Sequence, residues 1–192
     1  MDIFSAFGLS ASAGLNAYIP LLVVALLSKF TDLITLSSPW DTLESWWVIG
    51  VLVLLSAVEF FADKVPAVNH ANDIIQTLVR PVAGAILFAS SAHIITKIHP
   101  VLAMVMGLLV AGTVHAVKSL AVRPAVTATT GGAGNVPVSV AEDITSTILS
   151  VIAIVLPVLI AVLLVMLGAL FVWLIWRRIN RERRGDQYPQ VR

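Results

Sequence analysis

The chain has 192 residues, of which 58% are apolar and only 12% are charged, and its mean hydropathy is +0.96. Soluble domains carry about a quarter charged residues, so this composition excludes an ordinary soluble domain and predicts a polytopic integral membrane protein. The absence of cysteine excludes disulfides, thiolate metal sites and a cysteine nucleophile.

The first apolar segment covers roughly residues 9–27, and Gly8, Gly14, Asn16 and Pro20 divide it. We therefore predict that it begins as a half-helix before it spans the membrane. No basic residues precede it, in contrast to a secretory signal peptide, so we treat it as part of the fold.

Four further apolar stretches predict additional spans. Trp40, Trp46 and Trp47 follow the first segment and are typical of a membrane interface. The next spans are predicted at about residues 46–61, 73–95 and 101–118.

The last apolar stretch, residues 143–176, is too long for one crossing. As a single helix it would extend about 51 Å, against a hydrocarbon core of about 30 Å. Pro157 interrupts it, which predicts either two segments, 143–156 and 158–176, or one kinked helix. The predicted fold class is all-α: one transmembrane bundle of five to six spans over residues 1–176, with broken or half helices.

The C-terminal tail, residues 177–192, holds six arginines and two acidic residues. By the positive-inside rule it predicts a multi-pass protein of the cell inner (plasma) membrane with its C-terminus in the cytoplasm. Six spans place both termini there, whereas five place the N-terminus outside. The same charges favour contact with anionic membrane lipid.

One polar phrase occurs twice in the chain. VPAVNHANDIIQT, residues 65–77, matches VPVSVAEDITST, residues 136–147, with Asp73 aligned to Asp143. The match predicts an internal two-fold repeat of units 46–97 and 101–156. Whether the repeats are parallel or inverted stays open.

Acidic residues near the predicted span ends are the candidate ion or substrate ligands. Glu59 and Asp63 lie four residues apart, so both carboxylates face one side of a helix. A carboxylate near hydrocarbon costs about 3 kcal/mol, which favours an ion pair, a cation or proton site, or interfacial placement. Asp73 and Asp143 are predicted at helix starts, where each would either cap backbone N–H groups or join the site.

Two Arg-Pro dipeptides supply the counter-charges. Pro81 and Pro124 each bias the preceding arginine away from helical backbone, which would aim Arg80 and Arg123 at a carboxylate or phosphate. The simpler alternative pairs Arg80 with Asp73, or with an acid of the other repeat, Glu142 or Asp143. The full candidate set is Glu59, Asp63, Asp73, Glu142, Asp143, Arg80 and Arg123.

Two other features have competing interpretations. The glycine-rich stretch of residues 127–135 suits either a re-entrant loop lining a cavity or a cytoplasmic loop. His115 is more typical of a hydrogen-bonded bundle residue than of a ligand.

Three stretches, GLNAYIPLL, EFFADKVPAVNHANDIIQTLVRPVAGA and RPAVTATTGGAGNVPVSVAED, resemble a family of small bacterial integral membrane proteins catalogued only as a domain of unknown function. The resemblance supports the membrane fold and implies no reaction, substrate or cofactor.

Two functions follow from these patterns. The first is a small secondary transporter, flippase or channel-like protein that moves a small ion, metabolite or lipid headgroup through a polar site between the repeats. The alternative is a non-transporting scaffold or accessory subunit whose buried charges are structural. We expect no enzyme activity, metal, cofactor or nucleic-acid partner, and homo-oligomerisation is left open.

Overall fold

The computed structural model describes residues 2–63, 66–92 and 98–185. Within these ranges, only the backbone is described for residues 66–71, 73, 92 and 179–185. Eight α-helices lie within these residues: α1 Ile3–Leu15, α2 Tyr18–Phe30, α3 Trp46–Ala62, α4 Pro66–Ala92, α5 Pro100–Val117, α6 Arg123–Thr130, α7 Asn135–Val155 and α8 Pro157–Gly185. A 3₁₀ turn, Trp40–Glu44, precedes α3, and a π turn, Lys118–Val122, joins α5 to α6.

Four helical segments are long and apolar enough to cross a membrane: Ile74–Ser91, Pro100–Thr130, Asn135–Val155 and Pro157–Arg178. Helices α1, α2 and α3 are apolar but shorter. These helices confirm the all-α class and support a membrane-embedded protein. The long final stretch divides at Leu156, whose φ of −134° and ψ of 61° end α7 before Pro157. Because α7 begins at Asn135, it is 21 residues long, and not the short segment 143–156 predicted from the sequence.

Helices α1 and α2 form a hairpin that opens toward one end of the bundle. Phe7, near the start of α1, packs edge-to-face on Phe88, near the end of α4. Phe30, the last residue of α2, packs on Trp46, the first residue of α3. Trp40 packs on the Phe88 cluster from the 3₁₀ turn that directly precedes α3. Both ends of the hairpin therefore lie at the same end of the bundle.

The tip of this hairpin, Asn16 and Ala17, lies deep among the other helices. Leu15 is beside Lys118, which follows the end of α5, whereas Ala6 belongs to the same buried cluster as Ala103, near the start of α5. Helix α1 thus runs parallel to α5, and its 13 residues extend about 20 Å at 1.5 Å per residue. The predicted division of the first segment is confirmed, and its second half returns toward the end where the first half began.

Helix α1 is buried on nearly every side because small residues let its neighbours approach. A Cβ on Gly14 would lie 2.6 Å from the Ala111 carbonyl of α5, and one on Gly8 would lie 2.7 Å from Ala153 of α7. Helices α4 and α5 meet in the same way, since a Cβ on Gly84 would lie 2.4 Å from that of Ala111. Small residues are common where helices meet in a bilayer, since they permit close backbone contact.

Buried serines link α1 to α7. The Ser12 hydroxyl lies 2.8 Å from that of Ser146 and 2.7 Å from that of Ser150. The Ser146 hydroxyl also donates to the Ser12 carbonyl. Such bonds between membrane helices contribute roughly 0.6 kcal/mol each, and their positions fix the register of α1 against α7.

Two predictions from the sequence are wrong in local structure. The two repeated phrases do not precede helices: they form the first turns of α4 and α7, so Asp73 and Asp143 lie inside helices and cap neither N-terminus. Arg80 lies within α4, and Arg123 has helical angles of −63° and −45°. Of the two interpretations of the glycine-rich stretch, the structure favours an ordinary loop: residues 127–130 end α6, and residues 131–134 form a turn, with Gly131 and Gly132 at positive φ.

The π turn explains how Arg123 stays helical before a proline. A proline in a continuous α-helix removes one N–H donor and its ring clashes with the preceding turn. The wider π turn ends at Val122, two residues before Pro124, and the Arg123 N–H reaches back to the Lys118 carbonyl. The bulge therefore absorbs the strain and keeps residues 100–130 as one helical run.

Candidate functional site

Six charged side chains are buried together where five elements meet. They are three carboxylates and three cations: Glu59, Asp63, Glu142, Arg80, Lys118 and Arg123. We call this set the charge cluster. It joins the end of α3, the middle of α4, the π turn and α6, and the first half of α7. The three negative and three positive charges of these six residues sum to zero.

The first pair in the cluster is fully desolvated. Arg80 Nη2 donates to Glu59 Oε1 at 2.8 Å, and the two residues are 0% and 2% exposed. Arg80 Nη1 lies 3.1 Å from His115 Nδ1. Because a guanidinium has donors only, His115 Nδ1 must accept, which leaves a neutral ring whose Nε2–H points at Thr77 Oγ1, 3.3 Å away. The expectation that His115 is a hydrogen-bonded bundle residue is confirmed.

The second group shares its cations between acids. Arg123 Nη2 lies 3.0 Å from Asp63 Oδ2 and 3.1 Å from Glu142 Oε2. Lys118 Nζ lies 2.7 Å from the same Glu142 oxygen. One guanidinium nitrogen therefore bridges the end of α3 to α7, and one carboxylate oxygen serves two cations.

Two neutral side chains also donate hydrogen bonds to Asp63. Asn72 Nδ2 donates to Asp63 Oδ1 at 2.8 Å, and the Ser139 hydroxyl donates to Oδ2 at 3.2 Å. Asp63 lies just beyond the end of α3. Burial alone would raise the pKa of its carboxyl, but the charges of Arg123, Lys118 and Arg80 and the Asn72 hydrogen bond lower it below the ordinary 3.8. The carboxylate is thus held ionised by its neighbours.

The hairpin tip is bonded directly to the cluster. Breaking a helix frees backbone groups, which must find partners away from water. The Leu15 carbonyl accepts a hydrogen bond from Lys118 Nζ at 3.0 Å. Asn16 Oδ1 accepts from the N–H groups of Tyr18 and Ile19, and its Nδ2 donates to Asp143 Oδ1 at 3.0 Å. Asn16 therefore starts α2 and ties the tip to α7.

Most of the predicted site residues converge, though with different partners. Glu59, Asp63, Glu142, Arg80 and Arg123 all belong to the cluster. The prediction that Arg80 pairs with Glu142 or Asp143 is wrong, because its guanidinium meets Glu59.

The remaining two predicted residues lie at or beyond the edge of the cluster. Asp143 is half-buried beside Asn16. The side chain of Asp73 lies outside the described residues, as does Lys64.

Sequence reasoning missed two residues that complete the site. Lys118 was considered only as the last residue of the predicted span 101–118, whereas the helical run continues through it. Asn16 was read only as a helix breaker. The available signal was its polarity within an apolar segment, which inside a bundle requires a polar partner.

The described carboxylates of the cluster are paired with cations. Within residues 2–63, 66–92 and 98–185, the side chains give no group of three or more His, Asp or Glu arranged to hold a metal ion. Each cluster carboxylate already accepts from Arg or Lys.

Comparison with known families gives one match. The family described as Domain of unknown function (DUF4126) matches residues 3–177, so the chain belongs to this family and the resemblance noted in the sequence is confirmed. No curated protein and no solved structure matches the chain.

Proposed function

We propose that this member of the DUF4126 family is a small secondary transporter, flippase or channel-like protein whose transport path runs past the charge cluster at the hairpin tip. One observation carries the proposal: a broken-helix hairpin ends on six buried charges drawn from separate helices. Ionisable groups inside a bilayer usually mark ion or substrate pathways, and transporters build their sites from interrupted helices.

The proposed topology follows from the lengths of the elements. Helices α3, α4, α5, α7 and α8 cross the membrane, and the α1–α2 hairpin enters from one face. A tip about 20 Å deep lies roughly two-thirds of the way through a hydrocarbon core of about 30 Å. With a cytoplasmic arginine-rich tail, the tip then approaches the cytoplasmic side. The α3–α4 and α5–α7 pairs form parallel repeats, each turning on that side.

Shared ion pairs give the site two states in this proposal. Arg123 bonds Asp63 and Glu142 through one nitrogen, so neutralising either acid moves the guanidinium toward the other. Lys118 holds both Glu142 and the Leu15 carbonyl. Protonation of Glu142, or a cargo cation bound there, weakens the hold of Lys118 on the hairpin tip and lets the hairpin shift.

A flux assay tests this function. Purified protein in liposomes is offered protons, monovalent cations, small anions, neutral solutes and labelled lipids. We expect transport of one class by wild type, at least tenfold slower transport by Asp63→Asn, and unchanged transport by Asp41→Asn, a matched change at an exposed acid. If wild type moves no member of the panel faster than protein-free vesicles, the proposal fails.

The second candidate function is a non-transporting scaffold, and charge balance favours it. Each of the three described carboxylates of the cluster is paired with at least one of its three described cations, as a structural lock requires. The two functions separate in the double variant Glu59→Gln/Arg80→Met, which removes one pair without leaving an isolated charge. A scaffold keeps partner binding once stability is restored, whereas a transporter stays inactive even when it is stably folded.

A further inference from the structure

A second set of polar atoms lies beside the Glu59–Arg80 ion pair, and the ion pair does not use it. These atoms are Ser56 Oγ, Glu59 Oε2, Gln76 Oε1 and Arg80 Nε. Each is buried, and none has a hydrogen-bond partner among the described residues. Glu59, Gln76 and Arg80 are each at least 98% buried, so bulk water does not serve them.

Helix register brings these four residues to one place. Ser56 and Glu59 are three apart on α3, and Gln76 and Arg80 are four apart on α4, so each pair shares a helix face. The 2.8 Å contact between Arg80 and Glu59 joins the two faces. Tyr18, at the start of α2, lies on a third side, next to Gln76, Glu59 and Arg80. We call Ser56, Glu59, Gln76 and Arg80 the polar seat.

Unpartnered polar atoms in a protein interior are costly, and native structures satisfy nearly all of them with protein, water or ligand. The seat presents the acceptors Glu59 Oε2 and Gln76 Oε1, the donor Arg80 Nε, and a hydroxyl that can act either way. A matching ligand must donate at least two hydrogen bonds and accept at least one. An alkali cation offers no acceptor to the guanidinium, and a carboxylate offers no donor to the two oxygens.

The charges of the seat narrow the chemical class of its ligand further. Glu59 and Arg80, the two charged members of the seat, cancel one another. A charged ligand would leave one net charge in a low-dielectric interior, where an uncompensated ion is strongly disfavoured. The favoured ligand is therefore neutral.

We infer that the polar seat binds a small neutral molecule carrying both donors and acceptors, either resident water or a compact amide-like or alcohol-like solute. Water fits because buried waters typically make two to four hydrogen bonds to groups of this kind. A planar amide such as urea also fits, since its N–H groups reach two acceptors while its oxygen accepts from Arg80. As a statement about cargo, this inference rests on the proposed transport function; as a statement about binding, it does not.

Three planar probes of similar size test the inference on the full-length protein in detergent micelles. Urea, guanidinium and acetate are neutral, cationic and anionic, and binding is followed by saturation-transfer NMR. We expect urea to bind and the two ions not to bind. Gln76→Met, which keeps the side-chain length without the acceptor, should weaken urea binding about tenfold, the equivalent of one lost hydrogen bond.

Two further variants keep the test decisive if Gln76→Met does not fold. Ser56→Ala removes only a hydroxyl at a half-buried position and should weaken urea binding roughly threefold. Ser90→Ala removes a buried hydroxyl elsewhere on α4, one that donates to the Leu87 carbonyl, and should leave urea binding unchanged.

A high-resolution experimental structure separates the two sources of ligand. A bound water within hydrogen-bond distance of Glu59 Oε2, Gln76 Oε1 and Arg80 Nε, without urea binding, supports the resident-water form. Preferential binding of guanidinium or acetate, or direct protein contacts to these atoms with no bound molecule, overturns the inference. Urea binding without transport of any species would refute the transport function and leave the seat standing. Transport by a protein whose seat holds no ligand would refute the seat and leave the transport function standing.

Discussion

Removing one partner of the Glu59–Arg80 pair should lower the free energy of unfolding far more than removing both. Arg80→Met leaves a carboxylate that is 98% buried without its closest cation. Breaking a buried ion pair in this way costs about 3–5 kcal/mol, because the remaining charge is neither hydrated nor paired. We therefore expect the free energy of unfolding of Arg80→Met to fall by about that amount.

The double variant Glu59→Gln/Arg80→Met removes the isolated charge. Neutral replacements of a buried pair are often near neutral in stability, so the double variant should recover at least about 2 kcal/mol of the loss. A double-mutant cycle, measured by denaturant unfolding of the purified protein in mixed micelles, gives this coupling directly.

The control is Arg177→Met, which removes an exposed arginine from α8 and should change stability by less than about 0.5 kcal/mol. A coupling below roughly 0.5 kcal/mol would refute the claim that Glu59 and Arg80 form a desolvated pair.

Three further predictions concern packing, the hairpin tip and pH. Gly84→Ala should destabilise by about 1–3 kcal/mol, because its methyl group would overlap that of Ala111; Gly50→Ala, with no atom within 4 Å of the new carbon, should be neutral or stabilising in the same unfolding assay. Asn16→Ala should cost about 1–2 kcal/mol, since it removes the acceptor that starts α2, and a loss below about 0.3 kcal/mol would contradict that role. The folded-state pKa of Asp63 lies below 3.8, so its stabilising contribution is complete above pH 3.8 and is lost as pH falls through the lower value; acid titration of stability should be shallower in Asp63→Asn, and an equal slope would count against the ion pair.

The membrane class and the helical fold could be predicted from the sequence because both depend on local composition. Runs of about 20 apolar residues identify spans without knowledge of their neighbours. Pro157 and Asn16 marked real interruptions, since each conflicts with a continuous apolar helix at its own position. Features determined by the residues themselves were therefore recovered.

Helix boundaries were predicted less well, because they were inferred from local features: polar residues and prolines. The helices were expected to start near Asp73 and Asp143 because the preceding residues are polar, yet Asn72 of α4 and Ser139 of α7 lie within helices and bond to the buried Asp63. Arg123 looked non-helical because Pro124 follows it, yet the preceding π turn relieves the strain that the rule assumes. In each case tertiary packing outweighed a local preference.

The candidate site was predicted as a set of residues but not as a set of contacts. Unpaired acids and arginines are too costly in an apolar chain to lie apart, so the gathering of Glu59, Asp63, Arg80 and Arg123 followed from composition. Which cation meets which acid depends on helix register and crossing. No local pattern indicated that Lys118 would bond the broken end of α1.

The account depends most on the hairpin, and single-cysteine accessibility tests it directly because the native chain has no cysteine. Cysteine is introduced at Phe4, Thr35 or Thr129, all exposed positions, and membrane-impermeant maleimide is added from one side of sealed vesicles. We predict labelling of positions 4 and 35 from the same side and of position 129 from the opposite side only. Labelling of positions 4 and 35 from opposite sides would show that α1 and α2 together span the membrane, and would contradict the account.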